Sequence, residues 1–289
     1  MSVFSIEGLG KSFGTKKVLH RCDLKLHPGE IVGILGPNGC GKTTLMKIIL
    51  GFLKSEAGHL AWSEQKYCPS KHAVGILEAP AFYPEISAMD NLLYFIPGLS
   101  IEKLNKYAIS FGLQNDMYRK VGQFSYGMKQ KLALIYIMMH DREILILDEP
   151  TNGLDIDSKR IFIELLKEKA TLEKKYVLVS SHDMYEMDKL CDSVYFLMNG
   201  LTSHKIDVAS LSESNNYLVE FADSQSCDQF VSITSLEYEI DQNNYRNLKL
   251  LNIKDPCSLI KELAPYGVIE VKRERKTLAD LYKDLRQTL

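Results

Sequence analysis

Gly36, Gly41, Lys42 and Thr43 stand at the spacing G-x-x-x-x-G-K-[ST] inside IVGILGPNGCGKTTLMKIILG, Ile31 to Gly51. That pattern can do phosphate chemistry. The glycines let the backbone curl until successive N–H groups point into one concavity, and a helix starting there adds the positive end of its dipole. Pro37, Asn38, Gly39, Cys40 and Thr44 complete the loop and its exit. The Lys42 ammonium can reach β- and γ-phosphates, and the Thr43 hydroxyl can ligate Mg²⁺. A second group of candidates lies in EILILDEP, Glu143 to Pro150, where four aliphatic residues run into Asp148 and Glu149. Such a run reads as a buried parallel strand whose carboxylates emerge at its C-terminal edge, the edge at which a strand-loop-helix unit presents its ligand. His182 follows another short apolar strand, Tyr176 to Ser180, on the same edge. A histidine at a strand end is ordinarily structural, but beside two acids and a phosphate loop a role in the site is the better reading. Phe13 lies in a turn near Gly14, where its ring could stack on a base or close the edge of the sheet.

The elements that must position these residues alternate. Ile31 to Leu35 is a strand, and helical spacing resumes at Leu45, Ile48 and Ile49. Val3 to Leu9 and Val18 to Leu26 alternate like half-buried strands, and Gly58 to Trp62 and Ala73 to Leu77 add two short ones. Ser100 to Phe111 is helical, and Ser125 can cap the helix carrying Leu132 to Met139. Asp157 to Ala170 forms a helix with Ile161, Leu165 and Leu166 inward, Met184 to Leu190 another, and Ser193 to Met198 with Leu201 to Ile206 a hairpin across Asn199-Gly200. This order predicts an α/β fold, a parallel sheet core with helices on both faces and an antiparallel β edge. Residues 1–210 form the main domain, with a helical subdomain at about 85–140. After a polar stretch, a β-α-β-β-α-β order from Tyr217 to Lys272 and an amphipathic segment, Leu278 to Leu285, predict a small α+β domain over residues 217–289.

Composition excludes several classes. A net charge of −2 and a pI near 6.4 give no general electrostatic basis for binding nucleic acid. The six cysteines are scattered without a CxxC pair, which argues against a zinc site or a disulfide framework and fits a reducing cytoplasm. No stretch approaches 18 uninterrupted apolar residues, and MSVFSIEGLGKSF lacks the character of a secretory signal, so any membrane work is expected to go through a partner. The segment from Glu78 to Gly98, with Pro80, Phe82, Tyr83, Pro84 and Phe95, reads as an exposed apolar patch of the kind that meets partners, or as aromatics packed back on the core. Cys40, just before a helix N-terminus, is placed to favour its thiolate, or is simply a small residue that fits.

Taken together, Val3 to about Ile206 resembles the nucleotide-binding subunit of an ABC transporter. The landmarks come in that family's order: the phosphate loop at Gly36 to Thr44, Glu78 in place of the Q-loop glutamine, a signature-like FSYGM at Phe124 to Met128, ILILDEP, and His182 as a switch histidine. Tyr126 and Met128 replace a glycine and a glutamine of the common signature, and with Glu78 they are similar to the bacitracin, lantibiotic and drug exporter branch. The resemblance implies a P-loop NTPase of ABC type that binds ATP and Mg²⁺ and hydrolyses ATP to power export. It implies Glu149 as general base, His182 as γ-phosphate sensor, Lys42 as the charge neutraliser, and Thr43, Glu78 and Asp148 about the metal. Phe13, with Val18 beside it, is assigned to the adenine. Ser125, Tyr126, Gly127 and Met128 are assigned to the ATP of a second subunit in a head-to-tail homodimer. A separate transmembrane permease would dock on the aromatic segment, holding the protein peripherally on the cytoplasmic face of the membrane. Two other functions compete: a soluble ABC-type ATPase acting on ribosomes or DNA, and a module that holds ATP without splitting it. The first usually has fused nucleotide domains or a long coiled-coil insertion, neither of which this sequence carries, and Glu149 speaks against the second.

Overall fold

Three five-residue runs, IVGIL, ILILD and YVLVS, are buried at every position, as central strands covered on both faces must be. In the computed structural model, residues 3–62, 66–77, 81–212, 215–241, 244–274 and 277–287 are described. The chain divides into two compact units, Met1–Val208 and Ala209–Leu289.

The first unit runs β1 (Phe4–Phe13), β2 (Lys16–Leu26), β3 (Ile31–Leu35), α1 (Lys42–Ile49), β4 (Ala57–Trp62), α2 (Pro69–His72), β5 (Ala73–Ile76), α3 (Ala88–Phe95), α4 (Ile101–Ser110) and α5 (Tyr126–Met139). It continues with β6 (Ile144–Asp148), α6 (Ile156–Glu173), β7 (Tyr176–Ser180), α7 (Met184–Leu190), β8 (Ser193–Met198), β9 (Leu201–Thr202) and β10 (Ile206–Asp207). The sheet order is β4-β1-β2-β9-β8-β3-β7-β6-β5, with β10 also on β8. Strands β8, β3, β7, β6 and β5 are parallel, and β4, β1 and β2 pair antiparallel, which is the mixed α/β sheet expected of a P-loop NTPase. Register does the positioning: Ile34 is level with Ser180, and Ser180 with Asp148, so three strands end in one row.

Three local expectations are corrected. Strand β1 continues through Gly10 to Phe13, so Phe13 ends a strand and pairs with Lys16 rather than sitting in the turn. The second hairpin arm breaks after Thr202 and resumes at Ile206, with both pieces on β8. Helix α6 buries Phe162, Leu166 and Ala170 rather than Ile161 and Leu165, a stripe rotated by one position.

The second unit comprises β11 (Tyr217–Phe221), α8 (Ser224–Ile233), β12 (Tyr238–Ile240), β13 (Asn247–Leu250), α9 (Pro256–Leu263), β14 (Val268–Arg273) and α10 (Leu278–Gln287). Its sheet, β12-β13-β11-β14, is antiparallel throughout, the split β-α-β arrangement. Phe221, Phe230, Leu250, Leu259 and Leu263 form its separate core.

Candidate functional site

The turn between β3 and α1 is forced by packing. A methyl group at Gly36 would lie 2.2 Å from the Leu197 carbonyl oxygen on β8, so only glycine lets the chain leave the strand there. Lys42, only 7% exposed, arches back across the loop, its Nζ donating to the carbonyls of Gly36 at 2.7 Å and Pro37 at 3.2 Å. An ammonium has three donors, so one remains for an anion in front of the loop. Phe13, Val18, Asn38, Gly39, Gly41, Lys42, Thr43 and Thr44 line a cleft of about 500 Å³. Its other wall is made by Asp148, Glu149 and Asn152 with Tyr126. Phe13 is half exposed, and Lys11 Nζ lies 5.5 Å from the centre of its ring.

Asp148 is buried and bridges two elements. Its Oδ2 accepts from the Thr43 hydroxyl at 2.5 Å, and its Oδ1 accepts from the Ser180 hydroxyl on the neighbouring strand. Thr43 and Asp148 are hard oxygen donors held together beside the phosphate loop, which suits Mg²⁺ completed by phosphate and water. Among the described residues no group of three or more His, Cys, Asp or Glu gathers as a metal cage. Glu78 lies outside the described residues.

The two acids separate by a device other than strand alternation. Asp148 ends β6, and Glu149 turns out with φ of 49°, a left-handed conformation that costs a non-glycine residue on the order of 1 kcal/mol or more. Ser180 holds it there: the Glu149 N–H donates to the Ser180 carbonyl at 3.2 Å and to its hydroxyl at 3.1 Å. The Glu149 carboxylate Oε2 lies 2.9 Å from His182 Nδ1. Thus Lys42, Thr43, Asp148, Glu149 and His182 converge at one sheet edge.

The Ser125 hydroxyl accepts from the Met128 N–H at 3.2 Å and caps α5, whose first turn carries Tyr126, Gly127 and Met128. Ser125 and Tyr126 are exposed, while Gly127 and Met128 are half-buried. Expectation put this segment against another subunit's nucleotide, yet Tyr126 also walls the cleft of its own chain. Of the two readings open for Cys40, the structure favours a small residue that fits. Its side chain packs against the apolar core behind the loop, and burial raises its thiol pKa more than nearby Lys42 lowers it, so the thiolate is disfavoured.

Sequence reasoning passed over Ser180, Asn152 and Gln130. A serine ending the fully buried YVLVS run was the one visible signal for Ser180. Gln130 is 1% exposed and its Nε2 donates to the Pro150 carbonyl at 2.8 Å.

The aromatic segment forms a second, apolar feature. Tyr83 stacks on Phe95 at 5.7 Å between ring centres, and Phe82 and Phe95 both meet Tyr136 of α5 edge-on. Buried Asn91 fastens the loop, accepting from the Tyr83 N–H at 2.8 Å and donating to its carbonyl at 3.0 Å. A groove of about 350 Å³ opens between Phe52, Phe82, Phe95 and Tyr136, and Phe52, Tyr83 and Tyr94 stay exposed around it. Among the described residues no helix is long and apolar enough to cross a membrane.

Comparison with known proteins gives consistent matches. A family model described as ABC transporter matches residues 19–152. The uncharacterized ABC transporter ATP-binding protein YdbJ of Bacillus subtilis is 38% identical over 206 residues, 68% of this chain and 67% of the relative. The bacitracin transport ATP-binding protein BcrA of Bacillus licheniformis is 31% identical over 256 residues, covering 84% of this chain and 81% of that one. A solved structure described as an ATP binding subunit of an ABC transporter superposes with a TM-score of 0.65 at 24% identity over 72% of this chain and 91% of its own, a likeness of fold.

Proposed function

This chain belongs to the ABC transporter family, and from that premise we propose that it binds and hydrolyses ATP as a homodimer to drive export through a separate membrane permease. Residues 1–210 are the ATPase domain in this reading, and 217–289 an accessory domain. The observation that carries it is the ladder Thr43–Asp148–Ser180 with the Glu149–His182 pair beside it, all in front of Lys42. That arrangement pairs an anion cradle with a base.

Phe13 and Val18 take the base of ATP, and the amides from Asn38 to Thr44 take its phosphates, with Lys42 offering its remaining N–H to the β- and γ-oxygens. Thr43 and Asp148 hold Mg²⁺, which when bound offsets phosphate charge. Glu149 accepts the proton of the attacking water, the base's task in such a transfer. His182 Nδ1 stands 2.9 Å from the Glu149 carboxylate, so the imidazole orients the base, and it feels the γ-phosphate through Nε2 only when that nitrogen carries a proton to donate. Ser125 and the Gly127 N–H, at the start of α5, meet the γ-phosphate held by the other subunit, whose loss lets the dimer part. The aromatic groove seats the permease at the cytoplasmic face of the membrane, an apolar rim around a pocket being the usual form of such an anchor site. Transport is supported by the kinship with a bacitracin transport ATP-binding protein, and the outward direction is part of the proposal.

Replacement of the base tests the scheme. Glu149→Gln with ATP and Mg²⁺ is expected to elute as an ATP-loaded dimer in gel filtration while turnover disappears. A variant that stays monomeric and yet holds ATP would dismiss the paired-subunit mechanism.

A further inference from the structure

We propose that Tyr126 is a positioning residue: its ring keys the start of α5 into the turn after β6, so that a phosphate met at Ser125 sets Glu149 of the same chain. The inference rests on the ATPase reading above and adds a role for a side chain where the common signature has none. Gly153, in the turn, has φ of 75°, and a methyl group built on it would lie 2.4 Å from Tyr126 Cε1 and 2.5 Å from Cδ1. The aromatic ring therefore occupies the space a side chain at 153 would need. On the next residue of the helix, a methyl at Gly127 would come 2.9 Å from the Gly153 carbonyl oxygen. The two backbones approach so closely here that neither position has room for a side chain.

Two further contacts make the grip three-pointed. Gln130 Nε2 holds the Pro150 carbonyl at 2.8 Å, and Lys131 Nζ lies 2.8 Å from Asp155 Oδ2, which pulls the Asp155 carboxyl well below the usual range. Residues 150, 153 and 155 are thus all tied to the first turns of α5, and the turn they define begins at the left-handed Glu149. Its far side is tied to α7 and α6, Thr151 donating to Glu186 at 2.6 Å and Lys159 pairing with the same carboxylate. Movement of the α5 N-terminus is consequently movement of the base. Tyr126 is 54% exposed, so a mere surface ring is the alternative to be beaten.

The contact atoms are ring carbons, not the hydroxyl, and this decides the variants. Steady-state ATPase assays on the full chain with Mg²⁺ and ATP are expected to give Tyr126→Gly a kcat about tenfold or more below the parent, KM within about twofold, and a Hill coefficient falling toward one. Tyr126→Phe restores most of the rate. Gly153→Ala alone is slow, and Tyr126→Gly combined with Gly153→Ala recovers part of that loss, because the methyl then enters the space the ring has left. Melting temperatures are recorded beside the rates: Tyr126→Phe is expected to melt with the parent, while the strain of alanine at φ of 75° lowers Gly153→Ala and the double variant alike and so cancels when those two are compared. Tyr126→Gly with the parent's kcat and Hill coefficient, Tyr126→Phe as slow as Tyr126→Gly, or losses that simply multiply in the double variant would each overturn the inference while leaving the ATPase reading intact. A parent without ATP turnover would overturn both.

Discussion

The nucleotide cleft and the aromatic groove sit at opposite ends of α5 and are built on opposite rules. At its N-terminal end Tyr126 lines a cleft whose central polar side chains have named partners: Asp148 has Thr43 and Ser180, Glu149 has His182, and Lys42 has two carbonyls. Near its C-terminal end Tyr136 lines a groove held by ring packing, with the exposed rings of Tyr83 and Tyr94 meeting edge-on beside it, and His140 packs its ring on Tyr136. A site that stabilises developing charge needs fixed dipoles at fixed places, so each of its residues answers to one function. A docking surface needs apolar area and shape, so several residue types would serve at each position. Between the two, α5 is apolar nearly all round, with Leu132, Leu134, Ile135 and Ile137 all buried.

If that contrast holds, single polar substitutions should wreck the cleft, whereas the groove should fail only by losing area. Lys42→Ala is the severest case, with ATP turnover expected to fall about a thousandfold as a preorganised cation is lost; a phosphate-release assay beside an unchanged melting curve checks it. Ser180→Ala comes next. It removes one partner each from Asp148 and from the Glu149 N–H, and kcat should drop about tenfold to a hundredfold through misplacement of the base while ATP affinity changes little. In the groove, Tyr83→Ala with Tyr94→Ala should weaken capture of the permease from detergent-solubilised membranes by about tenfold or more and leave the ATPase rate of the isolated subunit as it was. Loss of turnover in that pair, or undiminished capture, would mean the two ends of α5 are not divided as described.

The contrast also explains what could be read in the sequence. Gly36, Lys42, Thr43, Asp148, Glu149 and His182 were legible because phosphate chemistry demands those residue types at those spacings, and IVGIL, ILILD and YVLVS because a strand buried on both faces has no polar alternation. Ser180 was not, since its bonds to Asp148 and Glu149 exist only through the register of β6 on β7. Gln130, and the contact that Tyr126 makes within its own chain, were hidden for a related reason: their partners, Pro150 and Gly153, are more than 19 residues away, beyond what helical spacing can express. Cys40 stayed open between two readings because helix-dipole reasoning says where the backbone points and not which way the side chain packs. The α6 stripe slipped by one position because Ile161, Phe162, Leu165 and Leu166 are all apolar, and only packing selects among them.

The smallest effect expected distinguishes the ends of α5 by pH. His140 caps its C-terminal end with its ring 4.5 Å from Tyr136, and its Nε2 is buried without a hydrogen-bond partner. Burial, helped by Arg142 and Lys169 against Asp141, pushes its pKa from 6.5 down to about 4. The unfolded chain therefore takes up a proton as the pH falls through about 6.5, whereas the folded chain does so only near 4, so unfolding is favoured progressively between those values and not further below them. Because the ring keeps some solvent access, the contribution is about 1–2 kcal/mol, a few degrees in melting temperature for a protein of this size. His140→Leu removes the proton and keeps the apolar packing, so its melting temperature should drop less than the parent's between about pH 7 and about pH 4.5, with the carboxylates common to both cancelling in the comparison. Equal drops in the two proteins would show that the C-terminal end of α5 is as open to water as its N-terminal end.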